Sequence, residues 1–163
     1  MAGGDSLVIK HIKCDIFESG ADVICHQVNC RGVMGRGVAK QVREKYPWVY
    51  DEYKEWCDRL EKHGGILLGR IQTVPINENQ RVTNLYAQNR FGYDGKRYTN
   101  YMALKNCLVH VYRDFLNTGY TIAFPYFMSC ARGGGDWNIV YKMIEDIFKD
   151  YDGDILICEY DGK

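Results

Sequence analysis

The chain is expected to fold as one layered α/β domain, on three observations. Short apolar runs rich in β-branched residues alternate with segments whose apolar residues recur at helical spacing. Two glycine-rich loops each follow a central strand and lead into a helix. The 163 residues, 46% hydrophobic and 26% charged, suffice for one core and are a poor fit to two. No repeat, linker or internal boundary interrupts them, so residues 1–163 read as a single domain with its core at about 7–159.

Residues 7–12 read as the first strand and 21–26 as the second, whose Val23-Ile24-Cys25 centre has the apolar character of a buried strand. Residues 37–46 read as a short helix with Val38, Ala39 and Val42 inward. Tyr46 precedes Pro47 and so avoids the helical region, while Pro47 suits the first position of the next helix. There Val49, Tyr53, Trp56, Cys57 and Leu60 form the apolar stripe, and Gly64-Gly65 stops it. Residues 71–76 and 81–87 read as strands joined by the polar turn at 77–80. A polar loop spans 89–97, and Tyr101, Leu104, Leu108, Val111 and Phe115 then mark a helix beginning near Thr99. Residues 121–124 form a strand ended by Pro125, Asp136 is placed to cap a helix striped by Val140, Ile144 and Ile147, and residues 154–159 close the sheet.

Composition narrows the function. Lys+Arg and Asp+Glu are both 21, for a formal net charge of zero. Bulk nucleic-acid binding, which draws on a basic surplus, is therefore not expected, although a local pocket for a small anion remains open. No run approaches the ~18 apolar residues of a membrane span, and residues 1–6 have no apolar stretch of signal-peptide type. Seven cysteines, an odd number without a CxxC, argue against a disulfide scaffold or structural zinc and suit a reducing, cytoplasmic setting. Neither they nor the four histidines have metal-ligand spacing, so no metal or cofactor is expected.

The first glycine loop is Asn29-Cys30-Arg31-Gly32-Val33-Met34-Gly35-Arg36-Gly37-Val38-Ala39. Amides at a helix start can hold phosphate, but neither the GK[ST] ending nor GxGxxG is present. Taken alone, an anion site and a plain tight turn are both open. The second loop, Ser129-Cys130-Ala131-Arg132-Gly133-Gly134-Gly135-Asp136-Trp137, repeats the strand–loop–helix arrangement. Two such loops can share a crevice at the C-terminal ends of the strands and grip a diphosphate from two sides.

The order and spacing of several motifs resemble the macrodomain family over nearly the whole chain. They are Cys14-Asp15-Ile16, His26-Gln27-Val28-Asn29, the first glycine loop, Asn84-Leu85-Tyr86-Ala87-Gln88, Tyr98-Thr99-Asn100-Tyr101, and Gly133-Gly134-Gly135-Asp136-Trp137. The resemblance implies a three-layer α/β/α sandwich with a mixed central sheet and a cleft for ADP-ribose. It implies that Asp15, with Ile16, meets the adenine and that Asn29 meets the distal ribose. Gly32, Val33, Met34, Gly35, Arg36, Gly37 and Val38 would lie beside the diphosphate, with Ser129, Cys130, Ala131, Arg132, Gly133, Gly134 and Gly135 opposite. The family often has Gly-Cys-Gly where this chain has Ser129-Cys130-Ala131, which puts loop closure in question.

The resemblance further implies a hydrolase, with ADP-ribose 1″-phosphate as the leading substrate and His26, Asn29 and Asp136 as the catalytic candidates. His26 is open to a packing role and Asp136 to a capping one. A reader that binds ADP-ribose without turnover is a second possibility. A third is an enzyme that frees ADP-ribose from protein or nucleic acid. The branch that uses a lysine for that chemistry has it where this chain has Gln88, and its second-loop aspartate falls opposite Gly133. Tyr126, Phe127 and Phe91 are candidates to stack on the ligand.

Overall fold

Six strands make one sheet, in the order β1-β6-β5-β2-β4-β3, in a computed structural model that describes residues 9–92, 94, 96–130 and 133–160. The strands are β1 (Ile9–Lys13), β2 (Val23–Asn29), β3 (Ile71–Pro75), β4 (Arg81–Gln88), β5 (Ile122–Pro125) and β6 (Ile155–Glu159). Every neighbouring pair is parallel except β3 with β4, so the sheet is mixed. The helices are α1 (Gly37–Lys45), α2 (Pro47–His63), α3 (Tyr101–Phe115) and α4 (Trp137–Ile147), with a single 3-10 turn at Ile16–Glu18.

Alternation along β2 sorts the core into two layers. Val23 and Cys25 pack with Leu85 and with Leu104, Leu108, Val140 and Ile144 of α3 and α4. Ile24 and Val28 pack with Tyr86 and with Val42, Val49 and Tyr53 of α1 and α2. Helices thus cover both faces, and the three-layer α/β/α sandwich follows.

The elements end where local chemistry dictates. Pro47 opens α2, and Gly64, at φ 77°, ends it in a conformation that costs a glycine little. Asn100 caps α3 by accepting from the Ala103 N–H at 2.9 Å, and Asp136 caps α4 by accepting from the Asn138 N–H at 2.9 Å. Two expectations shift. Leu7 and Val8 lie outside the described residues, and β1 runs through Lys13. Strand β2 extends three residues past His26, because polar His26, Gln27 and Asn29 find hydrogen-bond partners across the sheet and on α2.

One rung of those partners crosses three strands. His26 lies opposite Asn84, and Asn84 opposite Gln72. His26 Nε2 is 2.5 Å from Asn84 Oδ1, and Asn84 Nδ2 donates to Gln72 Oε1 at 3.1 Å. Tyr86 also donates to Gln72 Oε1, and Gln72 Nε2 donates to the Glu52 carbonyl of α2. Because the Asn84 oxygen is an acceptor, His26 carries its proton on Nε2. Burial lowers the His26 pKa to about 4, against a smaller opposing effect of the Asn84 hydrogen bond.

The sign of the consequence is set by that depression. The unfolded histidine, with its pKa near 6.5, takes up a proton before the folded one does. His26 therefore stabilises the fold fully above pH 6.5, and the contribution is lost as pH falls from 6.5 towards 4, by at most about 1.4 kcal/mol per pH unit. Urea unfolding at pH 7, 5.5 and 4.5 should show this slope, and the slope should be reduced in His26→Gln. Equal slopes in the two proteins would reject it.

Candidate functional site

Strands β2 and β5 are neighbours, yet their following helices lie on opposite faces, α1 with the α2 layer and α4 with the α3 layer. A crevice opens between the loops that leave them, as expected where strand order reverses. It has two lobes, of about 100 Å³ and 250 Å³, which share Gln27, Arg36, Ala39 and Gln88. The smaller also carries Asn29, Val33, Gly35, Phe91 and Gly92. The larger adds His26, Gly37, Val38, Tyr126, Phe127, Ser129 and Gly133. A hollow of about 280 Å³ at the C-terminal end of α2 is larger but lies away from both loops.

The first loop is built around Asn29. Its Oδ1 accepts from the Arg31 N–H at 2.9 Å and lies 2.7 Å from the Tyr53 hydroxyl, while its Nδ2 donates to the Val33 carbonyl at 2.8 Å. The Tyr53 oxygen in turn accepts from the Val33 N–H at 3.1 Å. Tyr50 donates to the Gly32 carbonyl at 3.1 Å. Two tyrosines one helical turn apart on α2 thus hold the loop from below. Burial, the largest cause, pushes the Tyr53 pKa up, so the hydroxyl keeps its proton. Gly32 sits at φ 79° and Gly37 at φ 59°, where a Cβ would strain the backbone. Met34 and Cys30 turn their side chains into the core, so only their backbones can face a ligand. Arg31, Gly35 and Arg36 are exposed.

The second loop is held from above the opposite layer. Ser129 donates through Oγ to Gln27 Oε1, and its carbonyl accepts from Thr99 Oγ1 and from the Gly135 N–H, each at 2.8 Å. The Gly133 carbonyl accepts from the Tyr98 and Thr99 N–H groups at 2.7 and 2.9 Å. A Cβ on Gly133 would collide with Thr99 Oγ1 and with the Ser129 carbonyl oxygen. Ser129 takes φ 73° and Phe127 φ 65°, left-handed values that are rare for residues other than glycine. Ser129 therefore adopts the conformation that a glycine would take more easily, and its Oγ bond to Gln27 secures it there. Cys130 is buried with its Sγ 3.2 Å from the Met128 carbonyl, and burial, the largest cause, raises its pKa to about 11. Ala131 and Arg132 lie outside the described residues.

The other candidates are spread along the same edge of the sheet. Asp15 Oδ1 accepts from the Phe17 N–H at 2.9 Å and so caps the 3-10 turn, while the Ile16 side chain is buried. Asp15 and Ile16 follow β1 and line neither lobe. Asp136 is exposed and also lines neither. His26 lines the larger lobe, but it is only 2% exposed, and its Nδ1 has no hydrogen-bond partner. Phe91 and Phe127, 40% and 44% exposed, stand at the smaller and larger lobes. Among the described residues no three His, Cys, Asp or Glu side chains come together to hold a metal ion. Sequence reasoning does not single out Tyr50 or Thr99 as parts of the site, and it takes Tyr53 only as core. The tyrosines show only helical phase, and Thr99 only its place in the motif at 98–101.

Two backbone loops meeting at the β2–β5 crevice of a mixed six-stranded sandwich define a macrodomain fold. The family model described as Macro domain matches residues 25–144, and the chain belongs to that family. It is 25% identical over 138 residues to a DNA ADP-ribosyl glycohydrolase of Mycobacterium tuberculosis, covering 83% of this chain and 37% of that protein. It is 37% identical over 73 residues to an ADP-ribose 1″-phosphate phosphatase of Saccharomyces cerevisiae, covering 44% of this chain and 40% of that protein. The chain thus spans about two fifths of the length of these curated relatives. The solved macrodomain of Mycobacterium tuberculosis DarG superposes with a TM-score of 0.78 at 22% identity, covering 93% of this chain and 97% of that one.

Removing the Tyr53 hydroxyl tests how the first loop is held. Tyr53→Phe keeps the ring and leaves Asn29 and Val33 short of a buried partner. It should lower stability by about 1–3 kcal/mol in denaturant titration. A change below about 0.3 kcal/mol would mean that the loop does not depend on it.

Proposed function

We propose that the crevice binds ADP-ribose and that the protein hydrolyses an ADP-ribose derivative, with the 1″-phosphate as substrate. The observation that carries this reading is the arrangement of the two loops and Asp15 along one sheet edge. Strands β2, β5, β6 and β1 stand in that order, so Asp15 lies three strand spacings, roughly 14 Å, from the end of β2. A nucleoside diphosphate carrying a second sugar suits that span. Its adenine would lie by Asp15 and Ile16, its diphosphate between the loops, and its distal ribose by Asn29. A carboxylate is a pure acceptor, matched to an exocyclic amino group. The relatives named above for reactions of ADP-ribose compounds support the same ligand.

For turnover, His26 lines the larger lobe, and its Nδ1 is a buried, unprotonated acceptor without a partner at neutral pH. Its low basicity suits orienting a water more than storing a proton. Amides of the two loops would stabilise charge on the phosphate, and Asp136 is the second candidate, with His26, for handling the attacking water or the leaving oxygen. A second reading, release of ADP-ribose from nucleic acid, draws on one further observation. Exposed Arg31, Arg36, Lys40, Arg43, Arg90, Lys96 and Arg97 are carried by the first loop, α1 and the segment after β4, with Glu44 and Asp94 the acidic residues among them. Net neutrality of the chain conceals this local surplus. Gln88 supplies no amine nucleophile for the lysine-type reaction.

Calorimetric titration decides the ligand. ADP-ribose should bind at micromolar Kd or tighter, about −8 kcal/mol, and more tightly than ADP, AMP or NAD. Absence of saturable binding at millimolar ADP-ribose would defeat the assignment. Asp15→Ala should weaken ADP-ribose about tenfold to a hundredfold. It should also abolish the preference of the parent for adenosine over inosine diphosphate ribose, which loss of a cap alone would leave intact.

Phosphate release from ADP-ribose 1″-phosphate tests the chemistry. His26→Ala and Asp136→Asn should each lower it by about 10²–10⁴-fold while ADP-ribose binding changes little. Full activity in Asp136→Asn would leave that residue its capping role alone. A parent that binds ADP-ribose but releases no phosphate, and instead frees ADP-ribose from a modified oligonucleotide, would establish the second reading.

A further inference from the structure

Gln27 lies where the two lobes of the crevice meet. It lines both lobes. Its Nε2 donates to Gln88 Oε1 at 2.7 Å and to Thr99 Oγ1 at 2.9 Å, and its Oε1 accepts from Ser129 Oγ. Both amide hydrogens are thus used, as is one lone pair of the oxygen. From β2 it thus ties together three other segments: the end of β4, the residue pair that precedes α3, and the second loop.

Gln88 reaches this point because pairing between β2 and β4 is irregular at Val28/Asn29, so that Asn29 lies opposite Gln88. Such irregularities re-aim side chains at strand ends. Gln88 is itself anchored, donating through Nε2 to the Arg90 carbonyl at 2.9 Å. Its oxygen is therefore committed to face Gln27, which must answer with a donor. Ser129, held at φ 73°, presents a hydroxyl and needs an acceptor. Thr99 donates its own proton to the Ser129 carbonyl at 2.8 Å, so it too requires a donor from Gln27. No other uncharged side chain of this length supplies two donors and an acceptor from one planar group. A carboxylate would face two acceptors and add negative charge beneath the second loop.

We propose that Gln27 is a positioning residue, whose neutral carboxamide holds the second loop in the form that receives the ligand's phosphates. The proposal rests on the reading that the diphosphate of ADP-ribose lies between the two loops. Gln27 acts through Ser129 and Thr99, and the requirement is one of charge as well as shape.

The experiment is calorimetric titration of ADP-ribose into the parent and Gln27→Glu at pH 8 and pH 5. At pH 8 the introduced carboxylate is ionised, lacks both donors and repels the diphosphate, so binding should be about tenfold or more weaker than in the parent. Burial and the anionic ligand both raise the pKa of the introduced carboxyl. At pH 5 its protonated form regains a donor, and the deficit relative to the parent should shrink severalfold. A purely structural defect would give the same deficit at both pH values. Binding within threefold of the parent at pH 8, or a deficit that does not change with pH, would overturn the proposal. If Gln27→Glu does not fold, Gln27→Met keeps the length and lacks the hydrogen bonds. It should bind about tenfold more weakly at pH 8, and binding within threefold of the parent would again overturn the proposal. A parent that binds no ADP-ribose rejects the ligand reading and this proposal with it. A parent that binds well beside an unaffected variant rejects the role of Gln27 alone.

Discussion

The crevice between β2 and β5 is the constraint on which the rest of the site depends. The chain leaves β2 into α1 on one face and later leaves β5 into α4 on the other. Neither loop can then close over the gap between the strands, and their backbones face each other across it. The antiparallel β3–β4 hairpin completes the arrangement, because it delivers β4 beside β2 and so frees α3 to cross to the other side of β2. The register of β2 with β4 also puts Gln27 and Gln88 beneath the crevice rather than in solvent.

Each loop is fixed by the layer opposite the other. Tyr50 and Tyr53 of α2 hold the first from the α1/α2 face. Thr99, at the start of α3, holds the second together with Gln27. The fold thus places its buried polar groups at the site and satisfies most of them with one another. Unmatched groups there would destabilise the protein by more than the bonds gain, which is why this polar cluster is so densely connected. His26 Nδ1 is a conspicuous remainder, an acceptor without a partner beside the larger lobe. The backbone strain at Phe127 and Ser129 is concentrated on the same side.

Much of the fold was legible in the sequence, because periodicity and end signals are local. The apolar stripe from Tyr101 to Phe115, the Pro47 start and Gly64 stop of α2, and the Asp136 cap each depend on residues within a few positions of one another. The end of β2 was not legible. Gln27 and Asn29 fall past the strand end at His26 that polarity indicates, and only partners such as Gln88 and Tyr53 make them strand residues. Those partners lie 24 and 61 positions away, and their alignment is a property of tertiary packing and sheet register. The 3-10 turn after Asp15 is three residues long and has no periodicity, so a turn or cap at Asp15 is all that the sequence can suggest there. The glycine loops could be located by motif, but the tyrosines beneath the first differ from other core aromatics only in where their hydroxyls end.

The chemistry of this floor explains how a chain with no net charge can present a crevice to an anion. The side chains that organise it are carboxamides, hydroxyls and a neutral imidazole: Asn29, Gln27, Gln88, Thr99, Ser129 and His26. Buried as they are, charged groups in these places would carry a large desolvation cost. Neutral dipoles avoid it and still fix the backbone of both loops in place. The arginines and lysines are left to the exposed surroundings, where water solvates them and salt screens them. Geometry and long-range attraction are thereby assigned to different residues. Buried dipoles set the shape of the crevice, and exposed cations set the potential around it.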